Sequence, residues 1–405
     1  MKLVRGVFDK LEPYVAPGAK FEKLYPFWEG MESFFFTPSA ITTGGPHIRD
    51  GIDLKRMMLL VVIALIPCIL MALYNTGYQI HHVVEQGGTL LDNWQTAVFT
   101  ATGLKPDAGS ILSCMVHGAL YFFPVLIVTL IAGGTAEVVF SVIRGHVISE
   151  GFFVTGTLIP LIMPATVPLW MVAMGTVFGV VIGKEIFGGT GMNFLNPALT
   201  TRAFLFFAYP AQLSGEVWVA ATQPDGRSGA TWLASFAEGS GHLEGLTYMD
   251  AFLGRIPGSM GETSVLAVLI GAAFLLVTRI AAWQTMLGVL VGTLITAQAL
   301  TMLDASTNPM LAMPATYHLV LGGWAFGAVF MATDPVSSAF TRPGKLAYGF
   351  GIGLLCVLIR SVNPAYPEGM MLAILFMNMF APLIDHAVVT ANIRRRAARH
   401  GQRTA

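Results

Sequence analysis

Met57-Met-Leu-Leu-Val-Val-Ile-Ala-Leu-Ile-Pro-Cys-Ile-Leu-Met-Ala-Leu-Tyr74 runs without a single charged residue. At about 1.5 Å per residue a helix of this length nearly crosses the ~30 Å hydrocarbon core of a bilayer. Comparable apolar runs recur near 115–140, 152–163, 168–187, 194–210, 263–279, 284–301, 317–332, 346–362 and 370–390. The whole chain of 405 residues is 54% hydrophobic and 11% charged, against about 25% charged in soluble domains. This composition excludes an ordinary soluble enzyme and predicts an all-α polytopic membrane protein of about ten transmembrane helices. Residues 1–56 carry no apolar h-region, so they are expected to stay in the mature chain instead of serving as a signal peptide. The formal net charge of zero offers no footing for nucleic acid, and no nucleic-acid partner is expected.

Basic residues set the orientation, because Lys and Arg accumulate on the cytoplasmic side. With the N-terminus inside, the inner segments collect eighteen Lys and Arg and the outer loops four, Lys105, Arg227, Arg255 and Arg360, with Arg202 inside a span. Both termini are therefore expected in the cytoplasm. The chain divides into a cytoplasmic extension (1–56), a first membrane repeat (57–210), a periplasmic loop (211–262), a second repeat (263–390) and a basic cytoplasmic tail (391–405). Asn196-Pro-Ala198 opens the fifth span and Asn363-Pro-Ala365 precedes the tenth. Five spans is an odd number, so two such repeats must be inverted, an architecture in which short broken helices build a site near the midplane. The short third and eighth spans, ending in Met163-Pro164 and Thr333-Asp334-Pro335, are the candidates. In the extension, Phe21, Leu24, Tyr25, Phe27, Trp28, Met31, Phe34, Phe35 and Phe36 have rough helical spacing among Lys and Glu. That pattern suits an amphipathic helix on the inner leaflet or a docking face for a soluble partner. Cys68, Cys114 and Cys356 form no C-x-x-C pair and read as packing residues.

Several residues stand out chemically. Asp225-Gly-Arg-Ser-Gly-Ala-Thr231 lies in the long polar loop, where Gly229 and Ala230 are expected to leave the Thr231 hydroxyl accessible, as a turn residue or an anchor. Asn193 and Asn196 follow Gly188, Gly189 and Gly191 and need hydrogen-bond partners, in a helix cap or toward a ligand. Gly133 and Gly134 sit one helical turn before Glu137 and permit close approach of a helix or a flat ligand. Intramembrane carboxylates are costly, so Glu137, Asp334 and Asp385 are functional candidates whose oxygens suit a hard cation. Lys184 and Glu185 read as interfacial, and Arg202 as a counter-charge to a buried carboxylate or a ligand phosphate. No G-x-G-x-x-G follows a strand, so no dinucleotide-binding site is expected on this chain.

The segments Gly188 to Ala198, Arg202 to Gln212, Asp225 to Thr231, Asn363 to Met371 and Asp385-His386 resemble the B subunits of the sodium-translocating NADH:quinone oxidoreductases. The resemblance extends over essentially the whole chain. It implies a urea-transporter-like fold and a translocase carrying electrons from NADH to ubiquinone coupled to outward Na+ transport. It also implies a six-subunit complex in the bacterial inner membrane. Thr231, with Ser228 and Gly229 beside it, would carry FMN as a phosphoester installed by an FMN transferase. Asn193, Asn196 and Asp334 would contact riboflavin, while Gly133, Gly134, Glu150, Phe152 and Phe153 would border ubiquinone. Glu137 and Asp385 would lie on the Na+ pathway. The competing readings are a D-type subunit of the related ferredoxin-coupled complex, which is similar in its core but lacks such an extension, and a passive channel of urea-transporter type.

Overall fold

A computed structural model describes residues 2–16, 18–19, 21–22, 25, 28, 32, 54–144, 151–224, 228–239, 246–302, 308–363 and 366–404. Beyond an amphipathic first helix, α1 (Lys2–Val15), the chain folds into helices whose apolar surfaces pack on one another. The first half contains α2 (Leu54–Glu85), α3 (Trp94–Ala101), α4 (Ile111–Arg144), α5 (Phe152–Leu161), α6 (Leu169–Gly183) and α7 (Pro197–Ala208). Two short helices, α8 (Trp232–Ala237) and α9 (Tyr248–Leu253), lead to α10 (Val265–Val277) and α11 (Trp283–Leu300). The chain ends with α12 (Ala315–Val320), α13 (Trp324–Phe326), α14 (Arg342–Val362) and α15 (Met370–Thr404).

Among the described residues six helices are long and apolar enough to cross a membrane, namely α2, α4, α6 with the turn that follows it, α11, α14 and α15. The other four apolar runs are shorter helices or, in one case, a chain of pieces. The eighth run is α12, a break at Leu321-Gly-Gly323, α13, and a π-helical turn Gly327–Met331. Such π turns insert an extra residue into the helical ladder and recur at functional sites. The break is held by Arg360, which donates to the carbonyls of His318 (2.7 Å), Leu321 (2.9 Å) and Glu368 (3.1 Å). Arg202 holds the C-terminal end of α5 in the same way, through the Ile162 carbonyl. Both arginines lie inside the protein, so the reading of Arg360 as an outer-loop charge is corrected.

Helix ends extend beyond the apolar runs. Past Tyr74, α2 continues through Asn75, Gln79 and His81, whose polar groups are buried and bonded. The basic tail continues α15 instead of leaving it.

Small residues set the helix spacing. A Cβ on Gly288 or Gly292 of α11, or on Gly349 or Gly353 of α14, would collide with a backbone carbonyl of the other helix. Gly77 and Gly118 do the same for α2 against α4, each facing the partner's carbonyl. Such seams replace the hydrophobic driving force that is missing between helices in lipid. The three cysteines are free and buried, and Cys114 lies on this α2–α4 seam. A two-residue antiparallel pair, Thr89–Leu90 with Ala221–Thr222, clips the end of α2 to the long loop. Across the molecule α2 packs on α10, and α7 on α15.

Candidate functional site

Two polar cavities lie at opposite ends of the broken segments. The first has about 770 Å³ of empty volume and is lined by the start of α5, the loop after α6, and the end of the π turn. Asn193, Asn196 and Asp334, far apart in sequence, meet there, with Lys184, Thr190 and Thr333. Asn196 caps α7, its Oδ1 accepting from Ala198 N (3.0 Å) and Leu199 N (3.3 Å), with Pro197 starting the helix. Its amide nitrogen makes no hydrogen bond among the described residues, so capping uses only half of the side chain. Asn193 Nδ2 donates to Leu195 O (2.9 Å). Asp334 accepts from Ser337 Oγ (2.6 Å) and Val336 N (3.3 Å). The Thr190 hydroxyl is buried without a partner among the described residues. Amides, a carboxylate and an orphaned hydroxyl in an otherwise apolar hollow suit the alternating donors and acceptors of a flavin ring edge.

Behind one wall of this cavity is a buried charge cluster that corrects the interfacial reading of Lys184 and Glu185. Lys184 and Glu185 are 4% and 2% exposed, and Lys184 Nζ donates to Glu137 Oε1 and lies 3.9 Å from Glu185 Oε1. Among the described residues Glu185 Oε2 has no hydrogen-bond partner, while Arg144 holds the Glu185 carbonyl. The ammonium therefore occupies the position beside Glu137 where a cation would approach. Alternation misled the sequence reading, because Lys-Glu at the end of a span ordinarily marks the interface.

One turn before Glu137, Gly133 is packed directly under the Phe152 ring, with Thr176 Cγ2 3.0 Å from where its Cβ would stand. Gly134 faces open space, with only Phe152 Cε1 at 3.8 Å. Phe152 is buried and Phe153 exposed, so consecutive aromatic rings serve different surroundings. Glu150 lies outside the described residues.

The second cavity is lined by Thr231, Ser259, Glu262, Gly322 and Glu368 among others. Thr231 is 7% exposed and its Oγ1 accepts from Ala234 N (3.3 Å) as the N-cap of α8. The expectation of an openly accessible hydroxyl is corrected: the capping turn draws Thr231 inward, toward the cavity wall. Ser228 Oγ accepts from Ala230 N (3.2 Å), Gly229 lies near Gln223, and Asp225, Gly226 and Arg227 are outside the described residues. Arg202 donates to Ser259 Oγ (2.8 Å) and to Glu262 Oε2 (3.3 Å), so it counters a carboxylate. Glu262 Oε1 has no partner among the described residues, and burial pushes this carboxyl above its ordinary range against the pull of Arg202. Glu262 and Glu368 escaped the sequence reading because both lie in segments between spans, where carboxylates are unremarked.

Asp385 is separate from both cavities. Its carboxylate accepts from Phe340 N (2.6 Å), Thr341 N (3.0 Å) and Thr341 Oγ1 (2.5 Å), anchoring the start of α14.

These features define a polytopic membrane protein with buried polar sites at the two ends of interrupted helices. Residues 41–394 match the NQR2, RnfD, RnfE family, and the chain belongs to it. It is 56% identical over 399 residues to the B subunit of the Na(+)-translocating NADH-quinone reductase of Chromohalobacter salexigens, covering 98% of this chain and 96% of that protein. The B subunits of the same reductase from Pseudomonas aeruginosa and Klebsiella pneumoniae are each 52% identical, over 98% of this chain and 100% and 99% of theirs.

Proposed function

We propose that this chain is the B subunit of a sodium-translocating NADH:quinone reductase in a bacterial inner membrane. In it, electrons cross between two flavins at opposite ends of the interrupted helices on their way to ubiquinone. The observation that carries this reading is the placement of the two cavities: Thr231 lines one, and Asn193, Asn196 and Asp334 line the other. Val154, Thr155 and Leu158 of α5 line the first cavity, and at the far end of that helix the Leu161 carbonyl accepts from Gly261 N (2.7 Å), in the loop whose Ser259 and Glu262 line the second. The full-length identity to B subunits of this reductase favours the B-type reading over a D-type subunit or a passive channel.

Bound FMN and riboflavin would supply electron carriers that no side chain provides. Thr231 would hold FMN through its hydroxyl, with Ser228 and Gly229 shaping the turn, after transfer by an FMN transferase. Asn193, Asn196 and Asp334 would grip riboflavin by its polar edge. Gly133, Gly134, Phe152, Phe153 and Glu150 would border the quinone, and Glu137 and Asp385 would serve the Na+ path. The proposal includes two inverted five-helix repeats of urea-transporter type, α2 with α4 to α7, and α10 to α15 with α12 and α13 as one broken span. In it α2 and α10 correspond, as do α7 and α15, and both pairs are in contact. Cytoplasmic termini and five companion subunits complete the reading.

The direct test replaces Thr231 with Ala and examines the denatured chain for in-gel flavin fluorescence. Loss of fluorescence is expected; an undiminished signal removes the covalent site. Acid extraction should separately release riboflavin, and an Asn196→Ala chain with unchanged riboflavin content would remove that contact.

A further inference from the structure

We propose that the hollow where α10 ends and α11 and α14 begin is a binding site for the headgroup of an anionic phospholipid. About 510 Å³ in volume, it is lined by Arg279, Arg342, Lys345, Gln284, Trp283 and Leu276 among others, and among the described residues no carboxylate lines it. None of the three cations has an ion pair or a side-chain hydrogen bond among the described residues. Asp385, beside the start of α14, is already bonded to Phe340 N and to Thr341 N and Oγ1. Counting its charge still leaves three cations against one anion. Phosphate offsets such a group, because guanidinium forks bind it in pairs of hydrogen bonds and a lysine adds a point charge.

Arg279 is the most telling of the three. α10 closes in a Schellman turn, Arg279 N donating to Leu276 O (3.1 Å) and Ile280 N to Leu275 O (3.0 Å). The left-handed position inside such a turn ordinarily belongs to glycine. Arg279 holds it at φ 59°, the only described non-glycine residue with positive φ, so a guanidinium is kept here against the backbone's preference. α11 then starts after Ala282, which has no capping side chain, and its first N–H groups add donors for an anion at the same end. The surroundings make this a lipid site. Both α11 and α14 are long and apolar enough to cross a membrane, so their shared start lies at its boundary. Trp283 is exposed there, where interfacial tryptophans gather, and Leu276, Val277 and Leu346 beside the basic residues are exposed too. A basic hollow between helix ends with apolar flanks takes a phosphate and its acyl chains together. A soluble phosphate ester would leave those flanks uncovered.

The experiment titrates the complete complex, delipidated in neutral detergent, with phosphatidylglycerol and counts bound lipid by native mass spectrometry. A tightly held phosphatidylglycerol is expected, and its absence overturns the proposal. Combined Arg279→Gly, Arg342→Gln and Lys345→Gln should weaken that lipid at least about tenfold, at roughly 1 kcal/mol for each basic residue lost. Should this variant fail to fold, Arg279→Gly alone, which the left-handed turn accommodates, should weaken it about fivefold. Undiminished binding in the variant that folds overturns the site. Neutralising Arg394, Arg395 and Arg396 on the exposed tail of α15 should leave the tight lipid in place. Equal weakening there would reduce the effect to diffuse attraction and overturn the hollow's role. Phosphatidylcholine and glycerol phosphate serve as competitors. Displacement by phosphatidylcholine as readily as by phosphatidylglycerol overturns the requirement for negative charge, and displacement by glycerol phosphate at equal concentration overturns the lipid source.

Discussion

At the scale of single residues, Gly133 and Gly134 separate packing from ligand approach. A methyl on Gly133 would enter the space of the buried Phe152 ring, whereas one on Gly134 meets only van der Waals contact. Gly133→Ala should therefore cost about 1–3 kcal/mol through overpacking. Gly134→Ala should be neutral or gain a few tenths up to about 1 kcal/mol from reduced backbone freedom. Thermal unfolding in detergent reads the difference, and equal losses in the two variants would contradict the assigned contacts. If Gly134 borders the quinone, larger residues there should also raise resistance to quinone-like inhibitors with little loss of stability. The sequence made the glycine pair conspicuous but not its asymmetry, which depends on the direction each Cα faces on α4. Likewise it marked Glu137 as a costly charge yet concealed its lysine partner, because the two are separated by 47 positions and meet only through the α4–α6 packing. Asn193, Asn196 and Asp334 were readable through resemblance, and their convergence on one cavity needed the fold. For Thr231 the motif was visible, while its burial followed from an α8 cap that a Gly-Ala-rich loop does not announce.

At the scale of elements, the apolar runs were legible because lipid requires length and apolarity, and each of the ten runs falls on helical structure. Ends were less legible, since α2 and α15 carry polar residues well beyond their apolar stretches. The interruption between α12 and α13 was foreshadowed by Leu321-Gly-Gly323, but its stabilisation by Arg360 was not, because the arginine arrives from α14. The close approach of α11 and α14 is legible in retrospect as two glycine pairs at four-residue spacing, Gly288 with Gly292 and Gly349 with Gly353. Gly353→Ala would push a methyl against the Val289 carbonyl and bring it within 2.7 Å of Thr293 N, backbone that cannot swing aside. A loss of about 1–3 kcal/mol is expected, larger than for Gly6→Ala, which has nothing within 4 Å. Equal unfolding temperatures for these two variants would refute the seam.

At the scale of the whole molecule, the proposed topology places Ser214 outside and Arg399 inside, and both are exposed. With the native cysteines buried, single reporters at these sites should react with a membrane-impermeant thiol reagent from opposite sides. Labelling of both from one side would break the assignment of orientation. Direction then determines what the assembled complex can do with its electrons. Two electrons falling through about 100 mV release about 4.7 kcal/mol, since about 30 mV corresponds to about 1.4 kcal/mol for the pair. Each monovalent ion moved against 100 mV costs about 2.3 kcal/mol. Two ions per pair would thus absorb nearly the whole drop, so appreciable turnover at that stoichiometry requires a larger span between donor and quinone. In proteoliposomes holding the complete complex, NADH oxidation should drive Na+ across the membrane and slow as the potential builds. A protonophore should collapse the potential, release that brake and leave Na+ uptake intact or faster, because the transported ion is not the one it carries. Abolition of Na+ uptake by the protonophore would instead make sodium movement secondary to a proton gradient and overturn the direct coupling proposed for Glu137 and Asp385.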